Sequence, residues 1–524
     1  MKYFADYNIM SPDDFNDFIF NGFDRSLSVR TRERLMRQFE NYDYYNGKQH
    51  RDEMGRLVKA KDLKRPSGVD YDPTRYATNY FKAIVDRKAR WQMGGHHGIK
   101  VKPKQIDDID DVFKDGYEPS DEQKRENKRA EGFEKLLYQL WDENRMRARL
   151  VQAARDRLIA DRVVCKIVYN DRTGKLRWIF RPDTEYIPIY SDDDFEELIT
   201  ANFVKGCSYE SDGEIVPAIR KQTFTMENGR SFVHEAIYRE SDLKLLETIQ
   251  DKTNLGLDFI PVQEFPVNEL LSENIGDSEI SALREQNDIL NQMNEDAIDS
   301  LKFEMFEITA ITNATPGTAD EFIKAPGAVA EISSSGDKNA DIKTVSGNFG
   351  WKEAFKDQYN RVKSAMHEIS GLPQIVPQEL NFGGLNGDAL HVLFHDIITD
   401  TEEHWISWGY NLSELHKKSI KYLQARVNRH NFSYDRRVVR DIGTDYDNEI
   451  KFQLPLPDNR KELVELLEME TISGFESKKG AMERLGVEDI KAKMQEIESE
   501  KNRKKERSVA SYGESAEEID AGGD

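Results

Sequence analysis

The sequence predicts an α+β protein, mainly helical, on three observations. Apolar residues recur at steps of three and four over 132–163, 277–306, 351–369 and 388–427, the period of an amphipathic helix. Between about 163 and 267 the period falls to two, with tight turns at Asp171–Gly174 and Glu227–Arg230. Gly- and Pro-containing stretches separate these blocks, and no internal repeat links them.

The elements follow in chain order. Ser11-Pro12-Asp13-Asp14 reads as a helix start with proline in the first turn, and Ser28–Tyr45 as a helix carrying Leu35, Met36 and Phe39. Residues 50–75 are polar, Lys-rich and punctuated by Pro66, Gly68 and Pro73, an exposed loop. Residues 79–95 form a helix whose apolar positions fit the helical period only in part, because Arg87 and Lys88 fall on it. Residues 101–130 are charge-dense: strand, loop and helix start. Residues 132–163 read as one helix with the stripe Phe133, Leu136, Leu137, Leu140 and Trp141, continued by Leu150, Ala154, Leu158 and Ile159. Strands follow at 163–170, 175–182, EYIPIY, LITANFVKGCSY, KQTFTMENGRSFVHEAIY and DFIPVQEF.

Helix one, 277–306, starts on Asp277 or Ser278, with Glu279 at the positive end of its dipole. Its seam is Ile280, Leu283, Leu290, Ala297 and Leu301, with Asn287 and Asn294 in the gaps, amides of the kind that fix register between helices. A turn-rich excursion, 308–347, leads to helix two, whose face is Trp351, Phe355, Tyr359, Val362, Met366 and Ile369. The segment LPQIVPQELNFGGLNG precedes forty residues without proline, Asp388 to Val427, a helix of roughly 60 Å that Gly409 could bend. Residues 447–459 read as a strand and a Pro turn. Short helices close the chain before a small, polar tail expected to be disordered.

At 524 residues the chain can bury cores in more than one domain. With 75 basic and 97 acidic residues the net charge is −22, which argues against a protein that grips nucleic acid through a basic footprint. An acidic surface can still line a path along which DNA passes without sticking. Cys165 and Cys207 are far apart and outside any CxxC pattern, so a reducing compartment and a soluble, cytosolic protein are expected. No apolar run approaches a membrane span, and the acidic N-terminus is no signal peptide.

No enzyme chemistry assembles from the motifs. GxxxxGK[ST] and GxSxG are absent, and NFGGLNG lacks a lysine in register to make it a phosphate cradle. His391 and His395 have zinc spacing on a helix, with Asp388 as a third donor, but no Glu follows the first His. Asp192, Asp193 and Asp194 with Glu196 and Glu197 read as a solvated turn rather than a cation site. The expectation is therefore no catalytic residue, no cofactor and no metal.

Four stretches resemble the portal proteins, or head-to-tail connectors, of tailed bacteriophages, of the siphophage type common in phages of Gram-positive hosts. They are NYFKAIVDRKARWQMGG, FIPVQEFPVNELLSENIGDSEISALREQNDILNQMNEDAIDS, EISGLPQIVPQELNFGGLNGDAL and FQLPLPDNRKELVELLEMETISGFESKKGAMERL, in that order over roughly residues 30–485. The resemblance implies a portal fold that forms a ring, usually of twelve subunits, around a channel for double-stranded DNA at one capsid vertex. It implies a wing at 1–266, the first stem helix at 267–306 and a clip at 307–349. The second stem helix would be 350–371, a tunnel loop 372–387, the long wing helix 388–430 and a crown 431–500, with a tail at 501–524. The loop would offer Gln378, Glu379, Leu380, Asn381, Phe382 and Asn386 to DNA, and Lys302, Lys352, Lys356 and Lys363 would be the stem cations nearest phosphate. Implied partners are the terminase large subunit, the major capsid and scaffolding proteins and a head-completion adaptor, with assembly in the host cytoplasm and no membrane. The rival readings are a metal-dependent hydrolase centred on His391 and His395, and a helical scaffold of another assembly.

Overall fold

The computed structural model describes residues 3–4, 29–49, 74–108, 118–267 (save 192, 195, 196 and 212), 278–305, 308–316, 333–345 (save 337), 350–374, 392–455 (save 444–445), 460–485 and isolated positions from 487 to 499.

Helix α1 (Val29–Asn46) is pinned through charge rather than packing alone. Arg34 on α1 and Arg162 both donate to the fully buried Asp183 carboxylate, at 2.5 and 2.8 Å. Helix α2 (Tyr80–Met93) is capped by Asn79, whose side chain accepts from the Lys82 amide. The helix expected at 132–163 is two helices, and the first begins earlier. Ser120 caps α3 (Asp121–Glu143), and α4 (Met146–Ile159) follows a left-handed Arg145. The break is made by Asn144, whose side chain donates to Leu140 O and accepts from Trp178 N at 2.9 Å each.

The β-rich sector forms as expected, with one strand more. Strands β3 (Arg162–Asn170), β4 (Lys175–Pro182) and β10 (Val262–Pro266) make an antiparallel three-stranded sheet in the order β10-β3-β4. A second antiparallel sheet runs through β6 (Leu198–Ser211), β7 (Glu214–Glu227), β8 (Arg230–Arg239) and β9 (Leu245–Asn254). Strands β5 (Tyr186–Tyr190) and β1 (Tyr3–Phe4) both pair with β6. The β9 strand escapes sequence reading because it lies on a sheet edge with nearly every residue solvent-facing, so no apolar alternation marks it. Strand β2 (His97–Val101) pairs with β13 (Asn448–Phe452), joining residues 347 to 355 apart in sequence.

Helix one is shorter than expected. A 3₁₀ turn at Ser281–Leu283 precedes α5 (Arg284–Met305), and the Ser278 hydroxyl accepts the Ile280 amide while donating to Leu158 O. The ribbon β11 (Ile308–Thr312) and β12 (Asp341–Val345) connects α5 to α6 (Trp351–Ile369), which packs back along α5. Ile280, Leu283 and Leu290 are buried, but Leu301 and Ile369, expected on the packed faces, are 36% and 47% exposed. Both lie at helix ends where no described element covers them.

The long helix is α7 (His395–Arg426), 32 residues or about 48 Å, with Asp388–His391 outside the described residues. It runs through the core: Trp408, Leu412, Leu415 and Leu423 are fully buried. Around His416, Trp141 Nε1 donates to Nε2 at 2.8 Å, and Trp178 Nε1 donates to Ser419 Oγ at 2.9 Å. An indole N–H only donates, so Nε2 accepts and the proton sits on Nδ1, which donates to Asn448 Oδ1 at 2.8 Å. Burial pushes this imidazole down to about 4. The β3–β4 turn docks just beyond α7: Ser433 N donates to Gly174 O, and Gly174 has a φ of +68°. Short α8 (Arg436–Asp441), then α9 (Arg460–Ile472) and α10 (Lys478–Arg484), complete the described helices. Both cysteines are buried and unbridged. Among the described residues no helix is long and apolar enough to cross a membrane.

Candidate functional site

The residues singled out by sequence fall on the α5–α6 pair and the chain leading into α7. The tunnel-loop candidates Gln378, Glu379, Leu380, Asn381, Phe382 and Asn386 lie outside the described residues, as does His391.

One face of α5 is covered from within the same chain. Thr78 N donates to Asn291 Oδ1 (2.8 Å), Tyr76 N to Glu295 Oε1 (3.0 Å), and Thr74 N to both Asp299 oxygens (3.0 and 3.1 Å). Every second residue of this strap meets every fourth residue of the helix. About 6.6 Å of extended chain matches about 6 Å of helix, so the ladder stays in step. Lys302 belongs to this face: its ammonium donates to Thr74 Oγ1 and lies 3.6 Å from Asp299. The open stripe of α5 is instead Glu285, Ile289, Gln292 and Asp296, which carries no cation.

Helix α6 differs in charge. It carries four Lys or Arg against three carboxylates, where α5 carries two against six. Lys352 and Lys356 are exposed one turn apart, and Lys363 is half-buried. The apolar side of α6 is an aromatic ladder, Trp351 to Phe355 to Tyr359 with centroids 5.9 and 5.8 Å apart, and the Tyr359 hydroxyl is 2.6 Å from that of Tyr80. The four lysines therefore do not form one set. Lys302 is engaged by the strap, and the free-standing cations are on α6.

The head of α5 is fixed by a second construction that sequence reading missed. Lys88 on α2 is 3% exposed and donates to Glu279 Oε2 at 2.8 Å and to Asp400 Oδ1 of α7 at 3.2 Å. His404 Nε2, 5% exposed, is 3.8 Å from a carboxylate oxygen of each. Burial would push the Glu279 carboxyl up, but His404 and Lys88 outweigh it and hold the group well below the usual carboxylate range. Asp400, farther from Lys88, is raised by burial. Glu279 is thus the firmly ionised partner, and its role is this ion pair rather than the helix-dipole contact expected of it. The only sequence signal was Lys88 on an otherwise apolar stripe.

Among the described residues, Glu279, Asp400 and His404 are the one group whose ligand atoms, all within 4.8 Å, could hold a metal ion. The Lys88 ammonium already stands among them as the cation. His395 is exposed at the start of α7, and it is His404, about two and a half turns further on, that joins the cluster. The hydrolase reading centred on His391 and His395 gains no support.

The family model described as "Phage portal protein, SPP1 Gp6-like" matches residues 27–507. No curated protein matches the chain in sequence at a significant level. Among solved structures, the neck of an empty gene transfer agent particle, computed with C6 symmetry, aligns at 12% identity and a TM-score of 0.38, covering 77% of this chain and 89% of that one. The neck of the native particle, computed with C12 symmetry, aligns at 12% identity and 0.38, covering 77% and 88%. The virion of the native particle aligns at 13% identity and 0.33, covering 65% and 79%. These likenesses are too distant to carry an argument.

Proposed function

The chain belongs to the SPP1 Gp6-like family of phage portal proteins and is a portal subunit, and we propose that it works as a ring of twelve copies at one capsid vertex. The observation that carries this is the family match across 27–507, which contains every element from α1 to α10. In this reading double-stranded DNA enters and leaves through the centre of the ring. The terminase large subunit and later a head-completion adaptor dock on its outer end. Major capsid and scaffolding proteins surround it during assembly in the host cytoplasm.

The division of labour follows the chain. Residues 1–266 are the wing, α5 and α6 the stem, and 307–349, with the β11–β12 ribbon, the clip. Residues 372–387 are the tunnel loop, α7 the long wing helix and 431–500 the crown. Supporting the stem assignment, α5 and α6 form an antiparallel pair separated by a ribbon, with α6 presenting Lys352 and Lys356 to solvent. Two exposed lysines per copy, repeated around a ring whose chains are each strongly acidic, give the duplex weak and sequence-blind contacts. DNA can then slide without being gripped. Lys302 contributes less, because the strap holds it.

Electron microscopy of the purified full chain tests the reading. The expected particle is a ring with a central opening of duplex width; a monomer or dimer at micromolar concentration overturns it. Within rings, replacing both Lys352 and Lys356 by glutamate is expected to leave assembly intact and reduce the DNA retained in filled particles. Unchanged retention removes these lysines from the DNA path.

A further inference from the structure

We propose that Lys88 is a positioning residue that makes the head of the first stem helix and the long helix α7 one mechanical unit, by sharing a single buried ammonium between a carboxylate from each. The inference rests on the portal reading for its consequence, but not for its geometry.

Glu279 stands five residues before α5, and Asp400 lies in the second turn of α7. They come from stretches 121 residues apart, and both accept from the Lys88 ammonium. The lysine is nearly fully buried, and Glu279 and Asp400 are the two carboxylates it pairs with among the described residues. A buried charge that loses its partner is strongly disfavoured, whereas the intact pair is tolerated. Sliding α7 past the head of α5 therefore cannot be gradual: it must leave Asp400 or Glu279 facing the site without its cation. His404, one turn beyond Asp400 on the same side of α7, also lies 3.8 Å from an oxygen of each carboxylate.

Neighbouring contacts make the joint rigid on the α2 side. Trp405 Nε1 of α7 donates to Gln92 O of α2 at 2.7 Å, and Trp91 packs on Phe394 with centroids 5.2 Å apart. On the α5 side, Ser278 hooks Leu158 O, and Arg284 reaches Glu40 and Asn41 of α1. Lys88 is the point where these two sets of contacts join. Motion of the chain just before α7 is then transmitted to the head of α5 as a displacement, not dissipated between two helices.

Three full-length variants test this: Lys88→Met, Lys88→Arg, and the neutral triple Lys88→Met with Glu279→Gln and Asp400→Asn. Hydrogen exchange is read at 279–290 and 395–405. In Lys88→Met both segments are expected to accelerate together, about tenfold or more, and Lys88→Arg is expected to restore both. The triple leaves no stranded charge, so it is expected to fold and form rings while the two segments no longer change in step. Cells infected with phage whose portal is the triple variant are expected to yield few DNA-filled particles. Acceleration confined to one segment in Lys88→Met, or wild-type DNA filling by the triple, overturns the proposal. If the unaltered chain forms no ring, the portal reading fails, yet the exchange of the two segments still decides whether Lys88 couples them.

Discussion

Replacing His416 by glutamine isolates the proton that this core excludes. The imidazole is fully buried between Trp141 and Trp178, with ring centroids 6.0 and 5.8 Å away. Burial lowers its titration from 6.5 to about 4 in the folded chain. A base whose folded value is depressed gives stability that is intact above the unfolded value and lost as the pH falls through the folded one. The gap corresponds to about 3 kcal/mol, lost mostly between pH 6.5 and pH 4. Glutamine can accept from Trp141 Nε1 and donate to Asn448 Oδ1, so it keeps both hydrogen bonds without a proton to gain. Asp156 and Asp161, both raised to about 6 chiefly by burial, act with the opposite sign. Their folded carboxyls take protons first, so they gain stability as the pH falls below about 6. They contribute equally to both proteins and cancel in the difference. Urea unfolding followed by tryptophan emission, at fixed protein concentration, gives that difference. The stability of wild type relative to His416→Gln is expected to fall by about 3 kcal/mol from pH 7 to pH 4. A difference that stays flat within about 0.5 kcal/mol would mean that His416 takes up its proton at the same pH folded as unfolded, and would refute the claim that this core excludes the proton.

Two further substitutions have clear signs. Asn287 on α5 is fully buried with neither side-chain atom hydrogen-bonded, so Asn287→Leu is expected to raise stability by about 1–2 kcal/mol, seen as a higher thermal midpoint. A lower midpoint would show that the amide is satisfied in the assembled state. Gly174→Ala forces a left-handed residue to carry a Cβ that would overlap the Asn431 carbonyl, and is expected to cost about 2 kcal/mol or more. A neutral result would mean that the β3–β4 turn does not dock against the end of α7.

Sequence legibility tracked how locally each feature is determined. The β3–β4 hairpin is written in the Asp171–Gly174 turn and the alternation on either side, and it forms with the register that turn dictates. Helix α6 is bounded where its apolar period begins and ends. The break at Asn144 was illegible because its cause is the amide of Trp178, on a different element. A stripe of Leu and Ala on both sides of the break continues the helical period across it. Strand β9 was illegible for the opposite reason: it makes its backbone bonds at an edge and buries almost nothing, so its composition is that of a loop. The cluster at Lys88 was the hardest. A lysine on an apolar stripe reads as a flaw in the pattern until its partners, 191 and 312 residues later, are in place. The loop before Asp388 and the likeness to connectors were read from motif order, and the family match later supported the second of these.

The placement of α7 also sets a schedule for synthesis. Trp141 and Trp178 emerge from the ribosome long before their hydrogen-bond partners, which lie 275 and 241 residues further along. At roughly 5–20 residues per second that gap lasts from about ten seconds to nearly a minute. Once β10 is made at residue 266, the sheet of β3, β4 and β10 and the helices α3 and α4 expose the surface that α7 will cover. The surface that α7 covers is therefore complete in sequence well before its cover, and it closes only once residue 426 has been made.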